Sequence, residues 1–198
     1  ASVEGHAALV ERLVGAGADR NYRNPKIGGT ALMVASASGN LEVVNALLGR
    51  PGILIDQTDN AGATALYFAS VEGHAAIVAR LIEAGAERNY INPSPGLTAL
   101  MMASVCGMPE VMNALLGRPG ILIDQTNHDG GTALGYASFK GNTAIVKRLI
   151  DAGADVNHRD PKFGRAGLMQ ASYHGKLEVV NAWLRRPRSL FNQTDNAG

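Results

Sequence analysis

Residues 62–74 read Gly-Ala-Thr-Ala-Leu-Tyr-Phe-Ala-Ser-Val-Glu-Gly-His, and this stretch decides the fold because it recurs along the chain. The motif Gly-x-Thr-Ala-Leu returns in steps of 34 residues, and a degraded copy keeps the same spacing at residues 164–168. The threonines of the intact copies are Thr30, Thr64, Thr98 and Thr132. A second glycine repeats in the same step at Gly5, Gly39, Gly73, Gly107, Gly141 and Gly175. Self-similarity at this period predicts a solenoid, in which each unit packs on its neighbours.

The full unit, Gly-x-Thr-Ala-Leu-x-x-Ala-Ser-x-x-Gly-x-x-x-x-Val-x-x-Leu-Leu, resembles the ankyrin repeat over the whole chain. The resemblance implies an all-α, ankyrin-type helical solenoid of stacked helix-turn-helix repeats with extended loops. We therefore expect six helix pairs, the first and the last of them incomplete. The chain departs from the usual Thr-Pro-Leu-His of the family, because alanine replaces the proline in the intact copies. The histidine position holds Met33, Tyr67, Met101, Gly135 and Met169.

Two kinds of repeat alternate, so the chain also has a 68-residue period. Residues 45–58 return unchanged as residues 113–126, and a more diverged third copy begins at Ala137. We expect a single array over residues 1–198, with super-repeats at 1–68, 69–136 and 137–198, and with both ends cut in the middle of a repeat. Such ends indicate either a window from a longer array or open ends that stack on other copies of the chain.

Specific residues within the repeat have predicted structural roles. The repeated threonine stands where a helix N-cap is needed, so its hydroxyl can accept an orphan backbone N–H. Ala166 replaces that threonine in the last copy, and its helix should be weaker by about 1 kcal/mol. The glycine that recurs at Gly39 should end the first helix in a left-handed turn. Trp183 replaces Leu47 and Leu115, and its neighbours must accommodate the larger core side chain.

The overall composition excludes several classes of function. The formal net charge is +1, which gives no bulk-charge argument for binding nucleic acid or a membrane surface. No apolar run approaches the roughly 18–20 residues of a membrane span. Cys106 is the one cysteine, so a disulfide framework is excluded and a reducing compartment is favoured. We expect a cytoplasmic location, or an extracellular one if the protein forms a filament.

Charge is distributed unevenly along the chain. Residues 1–136 contain 8 Lys and Arg against 12 Asp and Glu, whereas residues 137–198 contain 10 against 5. An acidic front and a basic back suit head-to-tail association, which builds filaments when it does not close. The alternatives are a solvated surface that has drifted in charge, or an acidic partner that docks on the last copy. The residues predicted for an end-to-end contact are Glu4, Glu11, Arg185, Arg186 and Arg188.

The sequence contains no arrangement of residues that predicts chemistry. It has neither a phosphate-binding Gly-x-x-x-x-Gly-Lys-Ser/Thr loop nor a dinucleotide Gly-x-Gly-x-x-Gly. Cys106 lies at the end of a first helix and is interpreted as a surface cysteine rather than a nucleophile. The histidines at 128, 158 and 174 fall at three different positions of the repeat, so a metal cluster would need coincidence. We predict no catalytic residue, no metal and no cofactor, and hence that the protein is not an enzyme.

The resemblance instead implies a binding surface on the concave side, formed by the first helices and the loop tips. One row of first-helix positions is Val34, Phe68, Met102, Tyr136 and Gln170, and the next is Ala37, Val71, Val105, Phe139 and Tyr173. The loop tips add Tyr22, Arg23, Tyr90, Ile91, His158 and Arg159. A contiguous apolar patch of this kind marks an interaction site if it is exposed. The alternative is that these side chains pack between adjacent first helices.

The predicted function is therefore a non-catalytic scaffold that binds a protein partner on this face. The alternative is a structural protein that assembles head to tail into a filament. Neither prediction includes a nucleic-acid partner.

Overall fold

The computed structural model describes residue 12 and residues 15–94, 96–161 and 164–185. Ten helices have their bounds within these ranges. They are α1 (Ala31–Ala37), α2 (Leu41–Leu48), α3 (Ala65–Val71), α4 (Ala75–Glu83), α5 (Ala99–Cys106), α6 (Pro109–Leu116), α7 (Ala133–Lys140), α8 (Thr143–Asp151), α9 (Gly167–Tyr173) and α10 (Leu177–Leu184). The described ranges contain no β-strand, although an isolated antiparallel bridge joins Arg159 to Ala166.

The helices form five antiparallel-type pairs that stack in chain order. Each first helix packs on the first helix of the next pair, from α1 through α3, α5 and α7 to α9. The second helices, α2, α4, α6, α8 and α10, follow one another in the same way. The predicted helical solenoid is confirmed. The last pair contains both helices, so the expectation that it would be incomplete is wrong. The predicted first pair falls largely outside the described residues.

The first helix of each intact copy begins at its repeated threonine. The Oγ1 atoms of Thr30, Thr64, Thr98 and Thr132 accept the backbone N–H three residues later at 3.3, 3.2, 3.2 and 3.2 Å. Each hydroxyl thereby satisfies one of the donors that a helix start leaves unpaired. Ala166 occupies the same place before α9 and makes no side-chain cap. The predicted caps and the predicted missing cap are both confirmed.

The first helix of each pair ends within two residues of the recurring glycine, and in the first four pairs the next repeat packs on that turn. Gly39 has φ of 73°, a left-handed conformation that costs other residues energy. A Cβ on Gly39 would lie 2.7 Å from Cε1 of His74, which belongs to the following repeat. The His74 ring nitrogen lies 3.1 Å from the Ala37 carbonyl oxygen. The glycine is therefore needed both for the turn and for the close approach of the next repeat.

The apolar core runs along the stack between the two layers of helices. In the α1–α2 pair it includes Leu32, Val44 and Leu47, and the same positions are buried in the next three pairs. In the last pair Leu168 and Val180 are only partly buried. Trp183 on α10 is 1 % exposed. Its Cζ2 lies 2.7 Å from the place that a Cβ on Gly167 would occupy. The last pair therefore accommodates its tryptophan by having glycine where the other four pairs have alanine.

The loops that follow the second helices are joined by an asparagine side chain, and this contact links the two repeat types. Asn89 donates from Nδ2 to the Gly120 carbonyl at 2.9 Å, and its Oδ1 accepts the Leu122 N–H at 2.9 Å. Asn21 makes the same two bonds with Gly52 and Leu54, at 2.8 and 2.9 Å. We call this pair of bonds the Asn clamp. It joins an asparagine in one loop to the Arg-Pro-Gly-Ile-Leu turn in the next, which agrees with the alternation of unlike loops in the sequence.

Candidate interaction site

The first helices present the two predicted rows of side chains on one surface, which we call the first-helix face. Exposure along this face is uneven. Val34, Phe139 and Tyr173 are 59 %, 41 % and 67 % exposed, respectively. Met102 is only 8 % exposed and packs in the core, so it must be removed from the predicted contact residues.

In the middle of the first-helix face, the side chains are partly exposed and partly packed between adjacent first helices, so both alternatives left open by the sequence hold in part. Phe68, Val71, Val105 and Tyr136 are half-buried, and each packs against the buried core while keeping part of its surface open. Adjacent first helices therefore cover much of this apolar area themselves. Large exposed apolar side chains are found at the two ends of the described face, at Val34 and around Phe139 and Tyr173.

An aromatic cluster forms where α7 meets α9. The ring of His174 makes edge-on contacts with Phe139 and Tyr173, with centroid separations of 4.5 and 5.0 Å. The Arg165 guanidinium lies 4.0 Å above the Tyr173 ring centroid, and the Lys140 ammonium lies 5.7 Å from that of Phe139. Both distances are within the range of a cation–π contact. The cluster thus offers aromatic area that already attracts cations.

The loop tips lie beside this face with different degrees of exposure. Tyr22 is 61 % exposed, and Arg23 and Arg159 are exposed as well. Tyr90, Ile91 and His158 are half-buried. A ring nitrogen of His158 lies 2.9 Å from the Gly130 carbonyl oxygen, so this histidine joins two successive loops. Tyr22, Arg23 and Arg159 are therefore the loop-tip side chains most open to a partner.

A cleft of about 450 Å³ opens between the fourth and fifth helix pairs, next to the aromatic cluster. Its lining includes Tyr136, Phe139 and Tyr173 together with acidic and basic groups from the loops. Gly135 also lines it. The other four pairs have methionine or tyrosine at that position, and the lack of a side chain at Gly135 leaves space. The volume falls in the range of small-ligand sites, roughly 300–1,000 Å³.

The hydroxyl of Tyr136 lies in a negatively charged part of this cleft. Asn127 donates from Nδ2 to the Tyr136 hydroxyl oxygen at 2.9 Å. Burial raises the pKa of Tyr136 above its usual value, and the Asp129 and Asp160 carboxylates raise this pKa further. The hydrogen bond from Asn127 lowers the pKa in part. The phenol therefore stays protonated at neutral pH and feels the field of two loop carboxylates.

The remaining sequence predictions give no second candidate site. Within the described ranges, no three His, Cys, Asp or Glu side chains are placed to bind a metal ion. Cys106 is exposed at the end of α5. No helix in the described part of the chain has both the length and the apolar character to cross a bilayer. Arg185 is exposed after α10, whereas the other end-contact residues, Glu4, Glu11, Arg186 and Arg188, lie outside the described residues.

Sequence reasoning missed the cleft and the residues that form it. Asp129, Asp160 and His174 line the cleft, and none of them was predicted as a site residue. The available signal was Gly135, the one copy in which the bulky residue after Thr-Ala-Leu is lost. A missing side chain predicts space only when the neighbouring repeat does not fill it, and the sequence alone does not show which neighbour faces it.

Comparison with protein families gives a match along nearly the whole chain. A model described as ankyrin repeats in three copies matches residues 1–92, 53–127 and 100–195. These overlapping matches are in agreement with the stacked pairs of the structure.

Curated relatives match shorter parts of the chain. The chain is 34 % identical to ankyrin repeat and SAM domain-containing protein 6 of Rattus norvegicus, over 37 % of this chain and 8 % of the rat protein. The Mus musculus protein of the same name is 32 % identical over the same shares. The ankyrin repeat protein YahD of Escherichia coli (strain K12) is 28 % identical, over 40 % of this chain and 55 % of YahD. The chain therefore spans less than two thirds of each of these relatives.

Proposed function

This chain belongs to the ankyrin repeat family, and we propose that it is a non-catalytic scaffold that binds a partner protein along its first-helix face. Ankyrin repeats generally mediate protein–protein interactions. The observation that supports this face is the exposure of two neighbouring aromatic side chains, Phe139 and Tyr173. Aromatic anchors of this kind dominate the binding energy at protein interfaces, whereas most other contacts mainly exclude water.

The proposed mechanism is simultaneous contact with several repeats. The first helices repeat at a fixed step, so an extended partner segment can meet equivalent positions on successive pairs. The exposed loop-tip residues Tyr22, Arg23 and Arg159 would border such a segment. Tyrosine and arginine are enriched among residues that contribute most to protein interfaces.

The test is site-specific photo-crosslinking in cells that naturally make the protein. A photoreactive phenylalanine analogue would replace Phe139 or Tyr173 on the face, and Lys147 on the exposed side of α8 would serve as the matched control. We expect a discrete crosslinked partner from positions 139 and 173, identified by mass spectrometry, and none from position 147. Equal crosslinking from all three positions, or none from the face, would overturn the proposal.

Head-to-tail assembly is the competing proposal, and the uneven charge of the sequence is the observation that favours it. The acidic surplus in residues 1–136 and the basic surplus in residues 137–198 are complementary. Such an assembly should weaken as added salt screens exposed charges. Light scattering across salt concentration would detect it as particles that grow at low salt. A chain that stays monomeric at low salt and high concentration rules it out.

A further inference from the structure

The cleft between the fourth and fifth pairs has a closed counterpart one super-repeat earlier in the chain, between the second and third pairs. There, the space lined by Thr64, Leu66 and Tyr67 measures about 10 Å³, against about 450 Å³ at Thr132, Leu134 and Gly135. One substitution between the copies removes a large side chain from this space, because Gly135 replaces Tyr67. Gly167 replaces Ala99 as well, but Trp183 fills the place of the missing Cβ there. The fold is the same at both places, so the open cleft is a property of these residues and not of the repeat.

The same comparison shows a change in charge. Asp129 stands where the earlier copy has Ala61, and Asp160 stands where it has Asn92. Both aspartates line the open cleft, so these two changes make its lining more negative. Arg88 lines the closed counterpart, whereas Val156, which replaces it, is not among the residues that line the cleft.

One change in the lining has the opposite sign. Arg165 replaces Leu97, but the lining still contains three aspartates, at 129, 155 and 160, against this one arginine. Outside the lining, Lys140 replaces Glu72 and adds positive charge near the rim, where it lies over the ring of Phe139. The arginine and the lysine both sit against aromatic rings, so the aromatic walls of this site already stabilise positive charge inside the molecule.

We propose that this cleft binds an arginine side chain of the partner, so that the fourth and fifth pairs select a basic residue in the bound segment. The inference rests on the proposed scaffold function and specifies its chemistry. A guanidinium is planar and can stack on Tyr136 or Phe139. It can also donate to the Asp129 and Asp160 carboxylates, and such charge-assisted hydrogen bonds are stronger than neutral ones.

The probe is acetyl-Gly-Arg-Gly-amide, titrated into the full chain labelled with 15N and followed by NMR chemical shifts. Its comparison is the peptide with citrulline, which keeps the shape of arginine but has no charge. We expect saturable shifts confined to residues around the cleft, and roughly tenfold or greater weakening of Kd for the citrulline peptide. Equal binding of the two peptides would overturn the assignment.

Two variants test whether the cleft itself is responsible. Gly135→Tyr restores the residue of the closed counterpart, and a Cβ there meets only Thr132 Oγ1, at 3.5 Å. We expect it to fold, as judged by circular dichroism, and to lose arginine binding. Asp160→Asn introduces the residue that the closed counterpart has at Asn92, and it leaves the cleft open. It should weaken binding of the arginine peptide without affecting binding of the citrulline peptide. Unchanged arginine binding in folded Gly135→Tyr would refute the proposal, and Asp160→Asn provides the same test should the tyrosine variant fail to fold.

The peptide experiment and the crosslinking experiment can fail separately. The peptide titration needs no natural partner. Its failure removes the arginine assignment, and partner binding is then still tested by the crosslinks at positions 139 and 173. Crosslinks that are absent while the peptide still binds would instead remove the proposed scaffold function.

Discussion

At the scale of single residues, the repeated glycine after a first helix has two separate structural roles. Gly39 adopts a left-handed conformation, and it also leaves room for the ring of His74 from the next repeat. Gly73 and Gly107 have the same two roles, and they leave room for Met108 and Asn142, respectively. Because the sequence shows only that the glycine recurs, it predicts the turn and not the contact between repeats.

Alanine substitutions at two glycines separate the conformational cost from the cost of the clash with the next repeat. Gly85 has φ of 97° with no atom within 4 Å of a built Cβ, so Gly85→Ala should cost only the conformational term, about 1–2 kcal/mol. Gly39→Ala adds a clash with His74 and should cost about 1–3 kcal/mol more. Urea unfolding followed by circular dichroism measures both. Adding His74→Ala should relieve the extra cost at Gly39, and equal losses in the two single variants would contradict this account.

The Trp183 side chain needs the space that Gly167 leaves, so the residues at these two positions depend on each other. Gly167→Ala would place a Cβ 2.7 Å from Trp183 Cζ2, and we expect it to lower the free energy of unfolding by about 1–3 kcal/mol. Trp183→Leu alone should leave a cavity and also destabilise. The double variant restores the alanine and leucine of the first and third pairs, so it should be more stable than the sum of the single losses predicts. Additive losses would show that the two residues are not coupled.

At the scale of elements, the helices were predictable and the contacts between loops were not. Thr30 and its equivalents mark the helix starts because an N-cap acts within one turn of its own helix. Asn89, by contrast, acts on Gly120 and Leu122 in the next loop, more than 30 residues away. The alternation of two loop types was visible in the sequence, but the Asn clamp that joins them was not.

The Asn clamp should contribute measurably to the stability of the stack. Asn89→Ala removes two hydrogen bonds between neighbouring loops, and we expect a loss of about 1–3 kcal/mol in the free energy of unfolding. Asn113→Ala is the matched control, since Asn113 is exposed on α6 and alanine favours a helix. Urea unfolding of both variants checks the prediction. A loss no larger for Asn89→Ala than for Asn113→Ala would show that the clamp is energetically neutral.

At the scale of the whole molecule, stability is shared between neighbours and should vary along the stack. The third pair, α5 and α6, packs on a pair at either side. The fifth pair begins without a side-chain cap, and its α9 has fewer buried residues than α5. A solenoid in which each unit contacts only its neighbours has no central core that would equalise these differences.

Hydrogen exchange should reveal this gradient. We expect the backbone amides of residues 99–116 to exchange more slowly than those of residues 167–184, because local opening requires less energy where fewer contacts are lost. Mass spectrometry of peptides after deuterium labelling measures both regions in one sample. Ala166→Thr, which restores the missing cap, should slow exchange in α9 and leave α5 unchanged. Equal exchange in the two regions would indicate that the array opens as one unit.

The period of the sequence was sufficient to predict the architecture, whereas the site depended on exceptions to that period. Phe139 and Tyr173 were predicted as contact residues because the family resemblance points to their row, and their exposure depends on what the neighbouring pair leaves uncovered. Met102 has an equivalent position but is buried. The cleft arises at Gly135, where the pattern is broken. Such exceptions have meaning only once it is known which residues face each other across two repeats.

The Asn clamp also has an evolutionary consequence. It joins unlike loops, so the gain or loss of one 34-residue unit would bring two like loops together and place an asparagine against a loop without the Arg-Pro-Gly-Ile-Leu turn. A duplication of 68 residues reproduces every partner. Genetic recombination that adds or removes two repeats at a time therefore preserves these contacts, and descendants should differ in even numbers of repeats.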